Sequence, residues 1–174
     1  MTAVQSYRRV AYVALTMLVL TGLAGCAMDK EDEVRARIGD WVTLGDTSYF
    51  KSTMDCTAGV FDVEGVRITS LITKARSVAT GMTLLKDGEA VAFDVKGLSP
   101  NAVSEQIMTN DLPQGIGVLS SGIAGKNCMS KPVKDAYLRA LLDRSSVLMF
   151  DPDGNVMAVL DRSNQKLYYA RGTV

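Results

Sequence analysis

No histidine occurs among the 174 residues. That absence removes the base of a Ser-His-Asp triad, the side chain that titrates near neutral pH and the commonest metal ligand. An excess of one charge sign is missing too, since 19 basic residues balance 19 acidic ones. Such a chain lacks the positive field that neutralises phosphates, so nucleic acid is not an expected partner. Aromatic residues make up only 6%, with one tryptophan, Trp41, expected in the core rather than stacked on a ligand. The main apolar run, Val10–Leu20, has eleven residues interrupted only by Thr16, and the uncharged stretch Val10–Gly25 has 16. About 20 are needed to cross a bilayer, which argues against a spanning helix. No repeat with a period of 20–50 residues is present.

What is present at the N-terminus has a clear order. Arg8 and Arg9 precede the apolar run, and small residues follow it, ending in Leu23-Ala24-Gly25-Cys26. A charged start, a short apolar middle and small residues before a cut make a secretory signal. Leu23-Ala24-Gly25-Cys26 resembles the lipobox of bacterial lipoproteins. The resemblance covers residues 1–26 and implies a diacylglyceryl group on the Cys26 thiol, cleavage before Cys26 and frequent acylation of the new amino group. Two or more acyl chains hold a protein stably where one holds it marginally. The residues around Arg8-Arg9 do not match the fuller twin-arginine pattern. Ala27 stands where, in the same family, aspartate favours the inner membrane, so the resemblance implies outer-membrane sorting. Loss of residues 1–25 removes Arg8 and Arg9 and no acid, leaving a net charge of −2.

With Cys26 taken by lipid, two cysteines remain, Cys56 and Cys128. Export implies an oxidising compartment, where paired thiols form disulfides. One intramolecular pairing is possible, and the two positions are too far apart in sequence for the usual redox motif. Closing so long a loop is worth about 4 kcal/mol in the chain-entropy picture.

Along the rest of the chain, Asp29–Ile38 is charge-dense with Glu31–Arg35 and Glu33–Arg37 at i,i+4 spacing, fitting a short helix or a solvated tether. Trp41–Thr43 and Ser48–Lys51 read as strands around a Gly45-Asp46 turn. Val60, Phe61 and Val63 favour strand, which Gly65 interrupts. Ile68, Leu71, Ile72, Ala75 and Val78 have helical spacing, while their β-branched content leaves a strand open. Met82–Lys86, Asp87-Gly88 and Ala90–Val95 read as a hairpin with a type I′ turn. Ser99-Pro100 is a helix start, and Val103 and Ile107 mark the buried face of a helix to about Thr109. Residues 113–126, with four glycines and two serines, read as a long loop with a strand at Gly117–Ser120. A helix is expected from Pro132 to Arg144, lined by Val133, Tyr137, Ala140 and Leu141. Ser146–Phe150, Val156–Leu160 and Lys166–Ala170, joined by tight turns, form an antiparallel meander.

Motifs with chemistry are scarce. Asp151-Pro152-Asp153-Gly154-Asn155 has glycine fourth where a calcium loop needs it sixth, and Arg162 where the loop needs glutamate, so it reads as a β-turn. Gly125-Lys126 is followed by Asn127 and has Ser120 in place of the first P-loop glycine, so no phosphate cradle is expected. A Ser–Lys pair drawn from Ser120 or Ser121 with Lys126 is the remaining nucleophile route, and the Ser-x-x-Lys spacing of penicillin-recognising enzymes is absent. No metal site, cofactor or catalytic residue is expected.

These readings combine into a signal peptide over 1–25, a lipidated N-terminus and tether over 26–40, and one globular α+β domain over 41–174. Its fold is expected to be a small antiparallel sheet, the C-terminal meander, with two to three helices packed on one face. The expected role is a lipid-anchored, periplasm-facing envelope protein that binds or supports an envelope partner. The alternatives are a small Ser–Lys hydrolase and a carrier of a small apolar ligand.

Overall fold

The computed structural model describes residues 28–172, and the readings made on the signal segment, Cys26 and Ala27 lie outside them. The meander forms as expected: β5 (Val147–Asp151), β6 (Val156–Asp161) and β7 (Lys166–Gly172) pair antiparallel, with Leu148 opposite Val159 and Val159 opposite Tyr168. Its strands are apolar at nearly every position, so both faces seek cover.

The sheet is larger than the meander. Seven strands run in the order β1-β2-β7-β6-β5-β4-β3. The N-terminal hairpin of β1 (Val42–Ser52) and β2 (Cys56–Ile68) joins through β2, which pairs antiparallel with β7 from Cys56–Gly172 to Asp62–Lys166. The short strands β3 (Thr73–Ala75) and β4 (Val91–Phe93) complete the other edge, parallel to each other. The fold class is α+β, but the expected small C-terminal sheet is replaced by one that recruits the N-terminal half of the domain.

Five helices occur among the described residues: α1 (Glu31–Gly39), α2 (Val78–Lys86), α3 (Pro100–Asn110), α4 (Leu112–Asn127) and α5 (Lys131–Leu142). Helices α2–α5 supply or adjoin one core, with Val103, Ile107, Val118 and Tyr137 against Val60, Leu148, Phe150, Val159 and Tyr168. The opposite face carries a second core in which Val34 and Ile38 of α1, with Trp41, join Phe61, Met149, Leu160, Leu167 and Tyr169. Helices therefore cover both faces, not one as expected. The charge-dense segment takes the helical of its two expected forms, and Val34 and Ile38 bury its inner side. Arg35 spans outward over the Phe61 ring at 5.7 Å and donates to Thr47 Oγ1 and Gly45 O.

Several local expectations are corrected. Val42–Ser52 is one strand, because the Gly45-Asp46 turn is absorbed by register shifts between Val42 and Tyr49. β2 runs through Gly65 to Ile68. The helical spacing from Ile68 onward does not produce a helix there: Ile68 ends β2, Ala75 ends β3, and α2 begins only at Val78, capped by the Ser77 hydroxyl on Thr80 N. Asp87-Gly88 does not turn a hairpin. Gly88, at φ +82°, ends α2, with Gly88 N bonded to Leu85 O and Glu89 N to Leu84 O, a left-handed helix ending that glycine adopts at least cost.

The largest correction is α4, a 16-residue helix where a loop with a strand was expected. It starts on Asp111, whose carboxylate accepts from Gln114 N, with proline in the first turn. Its glycines are packing surfaces rather than breaks. A Cβ on Gly115 would lie 2.3 Å from Met108 Cα, and one on Gly125 would lie 2.8 Å from Ala170 Cα. Both obstacles are backbone, so only glycine lets α4 lie this close to α3 and β7. By contrast, α3 and α5 form near their expected bounds, with Ser99 capping α3 on Ala102 N.

Cys56 and Cys128 are bonded, with their Cα atoms 5.9 Å apart. The bond ties the C-cap of α4 to the first residue of β2. Beside it, the Tyr49 hydroxyl donates to Cys128 O at 2.6 Å. On the far side of the sheet, Asp94 accepts from both Arg162 and Arg76 at 2.9 Å. The Arg162 hydrogen bond holds the Asp94 carboxyl below its usual range, against partial burial.

The double variant Cys56→Ser, Cys128→Ser should lose about 4 kcal/mol, read as a fall in the urea midpoint relative to the oxidised parent. Asp94→Asn should lower stability at neutral pH. Because the folded carboxyl is depressed, its contribution is present above about pH 4 and lost as pH falls through the folded value. Thermal melts of variant and parent should therefore converge in acid.

Candidate functional site

The helical layer contains a cleft of about 170 Å³ between α4 and α5, closed at one end by α3. Its floor is Val118, Gly122, Tyr137 and Met157. Its rims are aliphatic, Leu119 and Ile123 on α4 and Leu138 and Leu141 on α5, with Asn101 and Ser104 at the α3 end and Lys126 beside α4. Gly122 shapes the floor, since a Cβ there would lie 2.7 Å from Met157 Sδ and 3.0 Å from the Tyr137 hydroxyl. Tyr137 donates to Met157 Sδ at 3.5 Å. Burial pushes its phenol well above the usual tyrosine range, so it stays protonated and neutral.

The cleft continues into an exposed apolar strip. Leu112, Ile116, Leu119 and Ile123 recur at intervals of four, three and four on α4, and all four are exposed. Leu138 and Leu142, one turn apart on α5, are exposed as well. Between Asp111 and Lys126 the helix has no ionisable side chain. Large exposed aliphatics in one row, bordered by an apolar cleft, make a continuous apolar surface rather than scattered surface residues. Another depression, between α2 and α3, is lined by Ser77, Val78, Ala79, Met82, Thr83, Lys86, Gln106 and Asn110 and lacks such a strip.

The Ser120 and Ser121 hydroxyls bond within the fold. Ser120 donates to Gly117 O. Ser121 is buried, and its single hydroxyl proton has Gly117 O, Asn155 O and Asn155 Oδ1 as acceptors within 2.9 to 3.1 Å. Five residues along a helix place Ser121 and Lys126 roughly 140° apart, so α4 turns the two away from each other. The Asp151–Asn155 segment is a turn: Asp151 Oδ1 accepts from Asp153 N and Gly154 N, and Asn155 has φ 48°. No group of three or more potential metal ligands occurs among the described residues. Trp41 is buried in the second core.

Pro113 and the four glycines of residues 113–126 mask the helix, and with it the α4–α5 surface, in the sequence. The 4-3-4 spacing of Leu112, Ile116, Leu119 and Ile123 is the signal that marks it. Comparison with protein-family models, with curated proteins and with solved structures returned no match.

Because Leu119 and Leu138 stand on the rim, Leu119→Ser with Leu138→Ser should leave the thermal midpoint within a few degrees of the parent. The same pair should markedly lower the fluorescence of an apolar dye such as ANS bound to the folded protein.

Proposed function

We propose that this protein is a lipid-anchored component of a bacterial cell envelope, facing the periplasm and held through Cys26. Its role is to bind an envelope component through the apolar α4–α5 surface rather than to catalyse a reaction. The observation that carries the anchor is the Leu23-Ala24-Gly25-Cys26 segment directly after an eleven-residue apolar run. Ala27, in place of aspartate, favours the outer membrane over the inner. The cleft and its aliphatic strip support binding, because burying exposed aliphatic surface is a general driving force for association. The serine hydroxyls, spent on carbonyl groups, support a non-catalytic role. A carrier of a small apolar ligand is a second reading, favoured by the apolar rims of the cleft; native mass spectrometry of the purified protein would reveal a retained ligand.

Cys26→Ser should abolish incorporation of labelled fatty acid and shift the protein from the membrane to the soluble fraction. Continued membrane attachment of that variant would refute the anchor. Capture from solubilised envelope by the parent, lost with Leu119→Ser and Leu138→Ser, would support the α4–α5 surface, and equal capture by both would remove it.

A further inference from the structure

Cys26 lies three residues before Asp29, a span of at most about 11 Å in extended chain. Asp29 is fixed to the fold. Its carboxylate accepts from Arg171 Nε at 2.6 Å, with both side chains partly buried. Next to Arg171, Gly172 pairs with Cys56, the first residue of β2. The β1–β2 hairpin closes there, where Thr53 N donates to Cys56 O at 2.8 Å across Met54 and Asp55. The chain towards Cys26 therefore leaves from the end of the sheet that carries the hairpin tip. Two methionines mark this end: Met28 is 55% exposed and Met54 is 68% exposed. Met54 is an unbranched apolar side chain at a tip where polar residues are usual.

We propose that this end of the sheet rests on the bilayer holding Cys26, with Met28 and the Met54 hairpin tip in the headgroup region. The inference builds on the lipid-anchor reading above and specifies how the anchored domain is seated. Acyl chains on Cys26 must lie in hydrocarbon, so a span of about 11 Å leaves no room for the domain to stand off the surface. Flexible thioether side chains suit an irregular apolar boundary. The opposite end of the sheet provides the contrast. Leu71, 72% exposed, follows the end of β2 at Ile68. Ile68 and Cys56 are the two end residues of β2, at most about 40 Å apart along a strand that register shifts shorten.

The test uses the full lipidated protein reconstituted in phosphatidylethanolamine–phosphatidylglycerol vesicles with acyl chains brominated near the headgroup. Met54→Trp and Leu71→Trp are compared, with the emission of buried Trp41 subtracted using the parent. The added emission of Met54→Trp is expected to be blue-shifted and strongly reduced by brominated lipid, while that of Leu71→Trp is unchanged. Hydrogen peroxide should oxidise Met28 and Met54 more slowly in vesicles than in the mature Cys26→Ser chain in solution, a readout that needs no tryptophan probe. Unquenched Met54→Trp in vesicle-bound protein, or equal quenching at both ends, would overturn the seating while leaving the anchor intact. An intact mass without lipid on Cys26 would overturn the anchor itself, and the seating with it.

Discussion

Strand β7 pairs with β2 on one side and β6 on the other, and that double pairing makes one sheet out of two hairpin systems far apart in sequence. Its last three residues gather the other contacts. Ala170 lies beneath Gly125 of α4. Arg171 holds Asp29, and Gly172 is covered by Ala124 while pairing with Cys56. The disulfide then fixes the end of α4 to the same strand end. Removing the β2–β7 pairing would separate the hairpin from the meander and leave both cores open.

Two cores follow from that sheet. A strand such as β6, apolar at five successive positions, cannot present a solvated face, so each side needs its own cover. On one side α4 and its neighbours provide it, and the glycines set how closely α4 lies. On the other the short α1 provides it, with its three acids in the first turn outside and Val34 and Ile38 inside. Val34, five residues after Asp29, is thus already part of the folded core.

The exposed apolar strip arises from the same packing. α4 turns mostly small residues inward, Gly115, Gly122 and Gly125 beside Val118, and its other large aliphatics outward, at Leu112, Ile116, Leu119 and Ile123. This inverts the usual amphipathic helix, whose large apolar residues face the core. The inversion makes the helix hard to read and gives the protein its exposed aliphatic strip.

The sequence by itself determined the elements whose signals are local: the C-terminal meander with its tight turns, the Ser99-capped α3 and the proline-started α5, and it singled out Cys56 and Cys128 as a pair. It also determined which chemistries lack their side chains, since a chain without histidine carries no histidine base in any fold. Tertiary structure decided the rest. Gly88 ends a helix rather than turning a hairpin because α2 precedes it. Ile68 closes a strand because β1 pairs with it. Residues 112–127 are helical because α3 and β7 supply backbone surfaces that only glycine can approach. Those outcomes depend on partners distant in the chain, and local spacing carries no information about which partner will be there.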